Sequence, residues 1–188
     1  MQPKLKQTIV AFAAITLLGT GSVFASPSAT SHDSPAYMSE RASTLLAEIQ
    51  KETAALEPHA ATLKTFARNS QSSWQSHAFY LDKVKGHTNA VSDRIVELQR
   101  IRHDVLPWQQ QAITEVTSHA AKVATSTQAA ITHLRENQSR LFVSEYTDHL
   151  TTIGDHSEDM KQTVDKFLDY EKTSQKFQRL QNELELVG

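Results

Sequence analysis

Residues 74–107 read WQSHAFYLDKVKGHTNAVSDRIVELQRIRHDVLP, and this stretch decides the fold class. Its apolar residues recur at combined three- and four-residue steps, at Trp74, Leu81, Val84, Val91, Ile95, Leu98 and Val105. Such steps place them along one side of an α-helix, as in helices that pack in bundles and coiled coils. The stretch therefore predicts one long helix, which ends at Leu106-Pro107 because proline disfavours helical geometry in the residue before it.

A similar pattern precedes this helix. A first helix is predicted to begin at Ser34-Pro35, since serine is a good N-cap and proline suits the first helical position. Its apolar residues are Met38, Ala42, Leu45, Ile49, Leu56, Leu63 and Phe66. Pro58 lies inside this pattern and should kink or split the helix. Residues 69–73 form a polar break. Ser72, at its end, and Gln75, three residues later, could make a capping box for the second helix.

A third helix is predicted to begin at Pro107-Trp108 and a fourth to run to about Leu184. The apolar residues of the third are Ile113, Val116, Ala120, Val123, Ala130, Leu134 and Leu141. The apolar positions then change phase, at Phe142, Tyr146, Leu150 and Ile153. One helix cannot bury both sets on one face, so a turn is predicted near Phe142–Ser144, with Ser144 capping the fourth helix.

The alternative boundary is Gly154, with Asp155 and Glu158 as a capping box. The boundary near Ser144 is preferred because it gives helices of about 31, 35, 33 and 41 residues, and matched lengths suit a bundle with short loops. The resulting fold class is all-α: an antiparallel up-down-up-down four-helix bundle with long, coiled-coil-like helices, over residues 34–188. Only 5 glycines and 5 prolines in 188 residues agree with a chain that has few turns.

The N-terminal residues resemble an export signal. Lys4 and Lys6 precede an apolar run over residues 9–18, and small residues end at Ala25. We interpret residues 1–25 as a signal peptide and residues 26–33 as a flexible leader. The run is about half the length of a membrane-spanning helix, so an uncleaved anchor is the less favoured alternative. The predicted location is periplasmic or secreted, with no membrane span after cleavage.

Composition excludes several classes of function. A formal net charge of −2 does not suit a nucleic-acid binder, and the lack of cysteine excludes disulfide scaffolds, thiol redox motifs and cysteine-ligated metals. No phosphate-binding glycine-rich loop, HExxH, GxSxG or EF-hand motif occurs in the sequence. We therefore expect a non-enzymatic interaction or envelope-associated module without a cofactor. Its partner would be an unknown protein or a second copy, and the end of the fourth helix (Phe177, Leu180, Leu184) is the candidate surface for self-association.

Histidine is the unusual component, with 9 in the chain. Folding the predicted helices about turns centred near positions 70, 106.5 and 142.5 puts His59, His77, His133 and His149 in two adjacent layers at one end of the bundle. One hypothesis is a metal- or cofactor-binding pocket, since neutral imidazole suits Zn, Cu or Ni. The other is that each histidine pairs with a carboxylate, a hydroxyl or water at a helix interface.

The two tryptophans begin the second and third helices. When the predicted helices are folded about the same turn positions, Trp74 and Trp108 lie at opposite ends of the bundle. Each is predicted to cover one end of the core.

Three segments carry a family resemblance. Residues 73–78 (SWQSHA), 106–113 (LPWQQQAI) and 133–138 (HLRENQ) resemble those of an uncharacterised family of exported bacterial all-helical proteins. The resemblance extends over most of the chain after the signal. It implies export and a helical fold, and it implies no chemistry.

Overall fold

The computed structural model describes residues 34–68 and 71–186, and over these residues the protein is all-helical. The described residues form four long helices: α1 (Pro35–Phe66), α2 (Trp74–Ile101), α3 (Pro107–Glu136) and α4 (Ser144–Glu185). A short 3-10 turn, Arg102–Asp104, follows α2. The predicted all-α class with four helices is confirmed. The predicted signal peptide (1–25) and leader (26–33) lie outside the described residues.

The first two helices begin at serine caps. The Ser34 hydroxyl accepts a hydrogen bond from the Tyr37 N–H at 3.2 Å, with Pro35 as the first helical residue, as predicted. In α2 the cap is Ser73, whose hydroxyl accepts from the Ser76 N–H at 3.2 Å. The predicted capping box at Ser72 is therefore wrong by one residue.

Helix α1 passes through Pro58 without splitting. Proline removes the donor that would pair with the carbonyl of Ala54. Both residues lie on the exposed side of the helix, where water can replace the lost bond. The alternative in which Pro58 splits the first helix is thus wrong.

Helix α4 begins at Ser144 and contains Gly154, so the alternative boundary at Gly154 is wrong. The cap position itself is Val143, and Ser144 is already helical. Helix α3 ends at Glu136, five residues earlier than its apolar pattern suggested. Asn137 leaves helical geometry, and the segment 137–143 returns the buried side chain of Leu141 to the core.

Each helix packs against two neighbours, with α1 and α3 both lying between α2 and α4. Helices α2 and α4 face each other across the interior, as do α1 and α3 over most of their length. Most residues of the predicted apolar seams form the core, and the fully buried side chains come from all four helices. The largest of these are Tyr146, Leu45, Leu46, Ile49, Leu56, Leu63, Leu81, Ile95, Leu98, Ile113, Leu150 and Ile153. Among the seam residues, Trp74 and Phe142 are exceptions, since both are exposed.

The two tryptophans differ in burial. Trp108 packs against the core, with its ring centroid 6.4 Å from that of Phe167 and 5.7 Å from that of Tyr170. Trp74 is 40% exposed, so the prediction that it covers the core is wrong. His77, in the first turn of α2, covers this end of the core instead. Its ring centroid lies 4.8 Å from that of Phe66.

None of the helices in the described part of the chain combines the length and apolar character needed to cross a lipid bilayer.

Candidate functional site

One buried histidine is held at both ring nitrogens. His77 has no exposed surface, and its Nδ1 lies 2.8 Å from the phenolic oxygen of Tyr146. Its Nε2 lies 3.1 Å from the hydroxyl of Ser72. Burial lowers the pKa of His77 to about 4, so the ring is neutral near pH 7. With both nitrogens hydrogen bonded, His77 is a structural group in this conformation.

A second predicted histidine joins the same network. The ring of His133 stacks on Tyr146 with centroids 4.9 Å apart. Its Nε2 lies 3.1 Å from the carbonyl oxygen of Arg140 and can donate a hydrogen bond to it. Burial raises the pKa of the Tyr146 hydroxyl, which therefore stays protonated. His133 thus links the end of α3 to the segment that leads into α4.

The other two predicted histidines lie elsewhere. The ring of His59 stacks on that of His87 at 5.9 Å, and the Nδ1 of His87 lies 2.9 Å from a carboxylate oxygen of Glu52. Burial, together with His87 and Lys83, lowers the pKa of His59. His149 is half-buried on α4. Within residues 34–68 and 71–186, no three of the four predicted histidines bring ligand atoms together.

A different group does bring such atoms together: His119 from α3 with His156 and Asp159 from α4. The two Nδ1 atoms lie 3.3 Å apart. A carboxylate oxygen of Asp159 lies 3.4 Å from the Nδ1 of His156 and 3.8 Å from that of His119. The two imidazoles are each 22% exposed and the carboxylate is 51% exposed, so the group opens to solvent on the Asp159 side.

Several groups act on the protonation of this cluster. Burial is the largest cause and lowers the pKa of His119. Among its charged neighbours, Asp159 and Glu115 raise this pKa, whereas His156 and Lys122 lower it. The net effect favours neutral His119, which is the form that ligates metals.

Sequence reasoning missed this cluster because it placed the turn between α3 and α4 too late. With a turn centred at 142.5, Lys166 would lie level with His119, but the observed neighbour is His156. One signal was present in the sequence: His156 and Asp159 are three residues apart and so share one face of a helix.

A second buried polar network closes the opposite end of the bundle. Gln109 is fully buried, and its amide nitrogen donates to the Ser39 carbonyl at 2.8 Å and the Ser43 hydroxyl at 3.0 Å. Its amide oxygen accepts from the Ser39 hydroxyl at 2.9 Å and from the Leu106 N–H at 3.0 Å. All of its polar atoms are satisfied, so this network is structural.

The C-terminal part of α4 carries an exposed apolar stripe. We define this stripe as Tyr170, Phe177, Leu180 and Leu184, whose exposed fractions are 54%, 61%, 47% and 75%, respectively. They are separated by seven, three and four residues, which is the spacing of one face of a coiled-coil helix. An apolar face of this kind is the usual mark of an association surface.

No protein-family model matches the chain, and neither a curated protein nor a solved structure shows significant similarity to it.

Proposed function

We propose that the protein is exported to the periplasm or the medium and acts there as a non-enzymatic interaction module that associates through the stripe on α4. Export is supported by the signal-like residues 1–25 and by the resemblance to exported all-helical proteins. Association is supported by one observation above all, the exposure of four large apolar side chains in a row on one helix.

The proposed architecture is an antiparallel up-down-up-down bundle with coiled-coil-like helices. Its support is the order of the contacts between neighbours. Near its start, α1 pairs Arg41 with Glu97 at the end of α2, and near its end His59 meets Tyr80 at the start of α2. The seams recur at heptad-like spacing, which is the pattern of knobs-into-holes packing.

In this arrangement the C-terminal end of α4 extends beyond the ends of its two neighbours, α1 and α3. Trp108, in the first turn of α3, meets Phe167 and Tyr170, and Ser43 of α1 donates a hydrogen bond to Glu171. Because α1 begins eight residues before Ser43, its first residue lies level with about position 179 of an antiparallel α4. Beyond Tyr170, α4 therefore has only the first turns of α1 beside it, and the stripe residues that follow, Phe177, Leu180 and Leu184, stay exposed.

The distribution of charge supports a second copy of this chain as the occupant. The early part of this segment is basic, with Lys172, Lys176 and Arg179, and its end is acidic, with Glu183 and Glu185. An antiparallel pair of α4 ends puts the basic part of one copy against the acidic part of the other. A parallel pair would align like charges, which is unfavourable.

The spacing fixes which residues would pair. If Phe177 and Leu180 occupy core positions, Phe177 of one copy packs against Leu180 of the other. Lys176 then flanks Glu183 of the second copy, twice by symmetry. With only four large apolar residues on each side, the interface is at the small end, and we expect a dimer that dissociates on dilution.

The test is sedimentation velocity of the purified protein over a range of concentrations. We expect wild type to form a dimer that dissociates on dilution, and Leu180→Glu to be monomeric at every concentration with unchanged helicity. The matched control is Phe79→Glu, since Phe79 is 56% exposed on α2, away from the stripe. This variant should dimerise like wild type.

Charge reversal tests the antiparallel pairing. Lys176→Glu and Glu183→Lys should each weaken the dimer, and the double variant should restore it. A wild-type protein that is monomeric throughout, or a dimer insensitive to Leu180→Glu, would refute the proposal. Failure of the double variant to recover would exclude the antiparallel arrangement.

A further inference from the structure

We infer that His119, His156 and Asp159 form a binding site for a divalent transition-metal ion, for which Zn²⁺ is the best geometric match. The site joins α3 to α4 and lies apart from the stripe. It is also distinct from the pocket predicted at His59, His77, His133 and His149, since it shares no residue with that set.

The first argument is the separation of the ligand atoms. Zn²⁺ binds nitrogen and carboxylate oxygen at about 2.0–2.2 Å in a tetrahedron, whose ligands are then about 3.3–3.6 Å apart. The two Nδ1 atoms are 3.3 Å apart, and the Asp159 oxygen is 3.4 Å from the Nδ1 of His156. The remaining edge, from Asp159 to His119, is 3.8 Å. A small rotation of the exposed Asp159 side chain that moves its oxygen by a few tenths of an ångström towards His119 would bring this third distance into the same range.

The second argument is the chemistry of the donors. Two imidazoles and one carboxylate are ligands that Zn²⁺ accepts together in proteins, with water in the fourth position. The two Nδ1 atoms face each other at hydrogen-bond distance, and an ion between them would replace that contact. Asp159 supplies negative charge at the open side, where an ion would enter.

Neighbouring residues complete the electrostatic environment. Glu115 lies one turn before His119 on α3, and its negative charge favours a cation in the site. Lys122 is the opposing positive charge. With Asp159 as an anionic ligand and Glu115 beside the site, the negative groups outnumber this lysine. Cu²⁺ and Ni²⁺ should also bind, since imidazole suits both ions.

Binding would cross-link α3 and α4, which already pack against each other. An ion that binds the folded state alone raises the melting temperature with its concentration. At a Zn²⁺ concentration 100 times the dissociation constant, the melting temperature should rise by roughly 5–10 °C.

The experiment is isothermal titration of the purified protein, without a polyhistidine tag, with ZnCl₂ at pH 7.5, together with thermal melts. We expect one site per chain. His156→Ala and the nearly isosteric Asp159→Asn should each weaken binding at least tenfold and reduce the thermal shift at the same Zn²⁺ concentration. The matched control is His149→Ala, which removes a half-buried histidine from the same helix and should leave the affinity within about twofold.

Circular dichroism of each variant separates loss of ligand from loss of fold, and Asp159→Asn keeps the side-chain volume. Absence of both heat and thermal shift with Zn²⁺, Cu²⁺ and Ni²⁺ would overturn the inference. So would Zn²⁺ binding that His156→Ala and Asp159→Asn leave undiminished, or that His149→Ala weakens as strongly as they do.

Discussion

The Nδ1 of His77 and the phenolic oxygen of Tyr146 lie 2.8 Å apart, and this hydrogen bond joins α2 to α4 across the core at one end of the bundle. The two helices are not packing neighbours. The contact is therefore made entirely by two long side chains that meet inside the core, both without exposed surface.

Removing the hydroxyl of Tyr146 should therefore lower the free energy of unfolding. Tyr146→Phe keeps the ring but leaves the Nδ1 of buried His77 without its partner. A buried polar group without a hydrogen bond costs about 1–3 kcal/mol of stability. Urea denaturation would measure the loss. Tyr170→Phe is the control, because Tyr170 is 54% exposed, and should change the free energy of unfolding by less than about 0.5 kcal/mol. Equal effects of the two substitutions would contradict this role of the hydroxyl.

Stability should fall in mild acid because of His77. Its pKa is about 4 in the folded protein and 6.5 in the unfolded chain, so the unfolded chain binds more protons between these pH values. The free energy of unfolding therefore decreases as pH falls from 6.5 towards 4. The contribution, fully present above pH 6.5, amounts to about 3 kcal/mol. Urea denaturation at a series of pH values would follow it.

The control for this pH effect is His77→Gln, which keeps a polar side chain but cannot titrate. Its stability should be lower overall and should change less steeply between pH 6.5 and 4. His59 and His119, whose pKa values are also lowered, remain in both proteins and contribute with the same sign. An unchanged slope in His77→Gln would exclude His77 as the source.

The two glycines inside the four described helices should respond in opposite ways to substitution by alanine. A Cβ at Gly154 would lie 2.8 Å from both Cβ and Cδ of Lys64, so α1 and α4 would have to separate. Gly154→Ala should destabilise by about 1–3 kcal/mol. A Cβ at Gly86 meets nothing within 4 Å, so Gly86→Ala should stabilise by about 0.5–1 kcal/mol through better helix propensity. Thermal or urea unfolding compares them, and a stabilising Gly154→Ala would disprove the close approach.

Substitution of each of the two tryptophans by alanine should also lower the free energy of unfolding by different amounts. Trp108→Ala removes a ring that packs on Phe167 and Tyr170 and should cost about 2–3 kcal/mol, somewhat less than a fully buried aromatic. Trp74 is 40% exposed, and Trp74→Ala should cost about 1 kcal/mol or less. A larger loss at Trp74 than at Trp108 would reverse the assignment of burial.

Much of the fold was predictable from residue periodicity. The starts of α1, α3 and α4 and the buried seams follow from apolar spacing, prolines and the Ser34 cap, which are local properties of the chain. The end of α3 was not predictable in this way, because Leu141 continues the apolar pattern although it lies in the connection. A side chain can return to the core from an irregular segment, and periodicity does not distinguish the two cases.

The candidate sites were less predictable, because they depend on how the helices are aligned and rotated. Placing the α3–α4 turn a few residues late moved the expected partner of His119 from His156 to Lys166. His77 and His133 do share Tyr146, but His59 faces His87 instead. The position of a residue along the bundle axis does not show how its helix is rotated about its own axis. That rotation decides which neighbours a histidine contacts.

The buried polar groups at the two ends of the bundle have a consequence for helix register. Apolar seams of leucine, isoleucine and valine pack almost as well after a slide of one heptad, so they leave several alignments close in energy. A slide of one helical turn, about 5.4 Å, would break the bond from His77 to Tyr146 at one end. At the other end it would separate Gln109 from Ser39 and Ser43. The first bond fixes the vertical alignment of α2 against α4, and the contacts of Gln109 fix that of α3 against α1, so each end of the bundle selects one register for the two helices that it joins across the core.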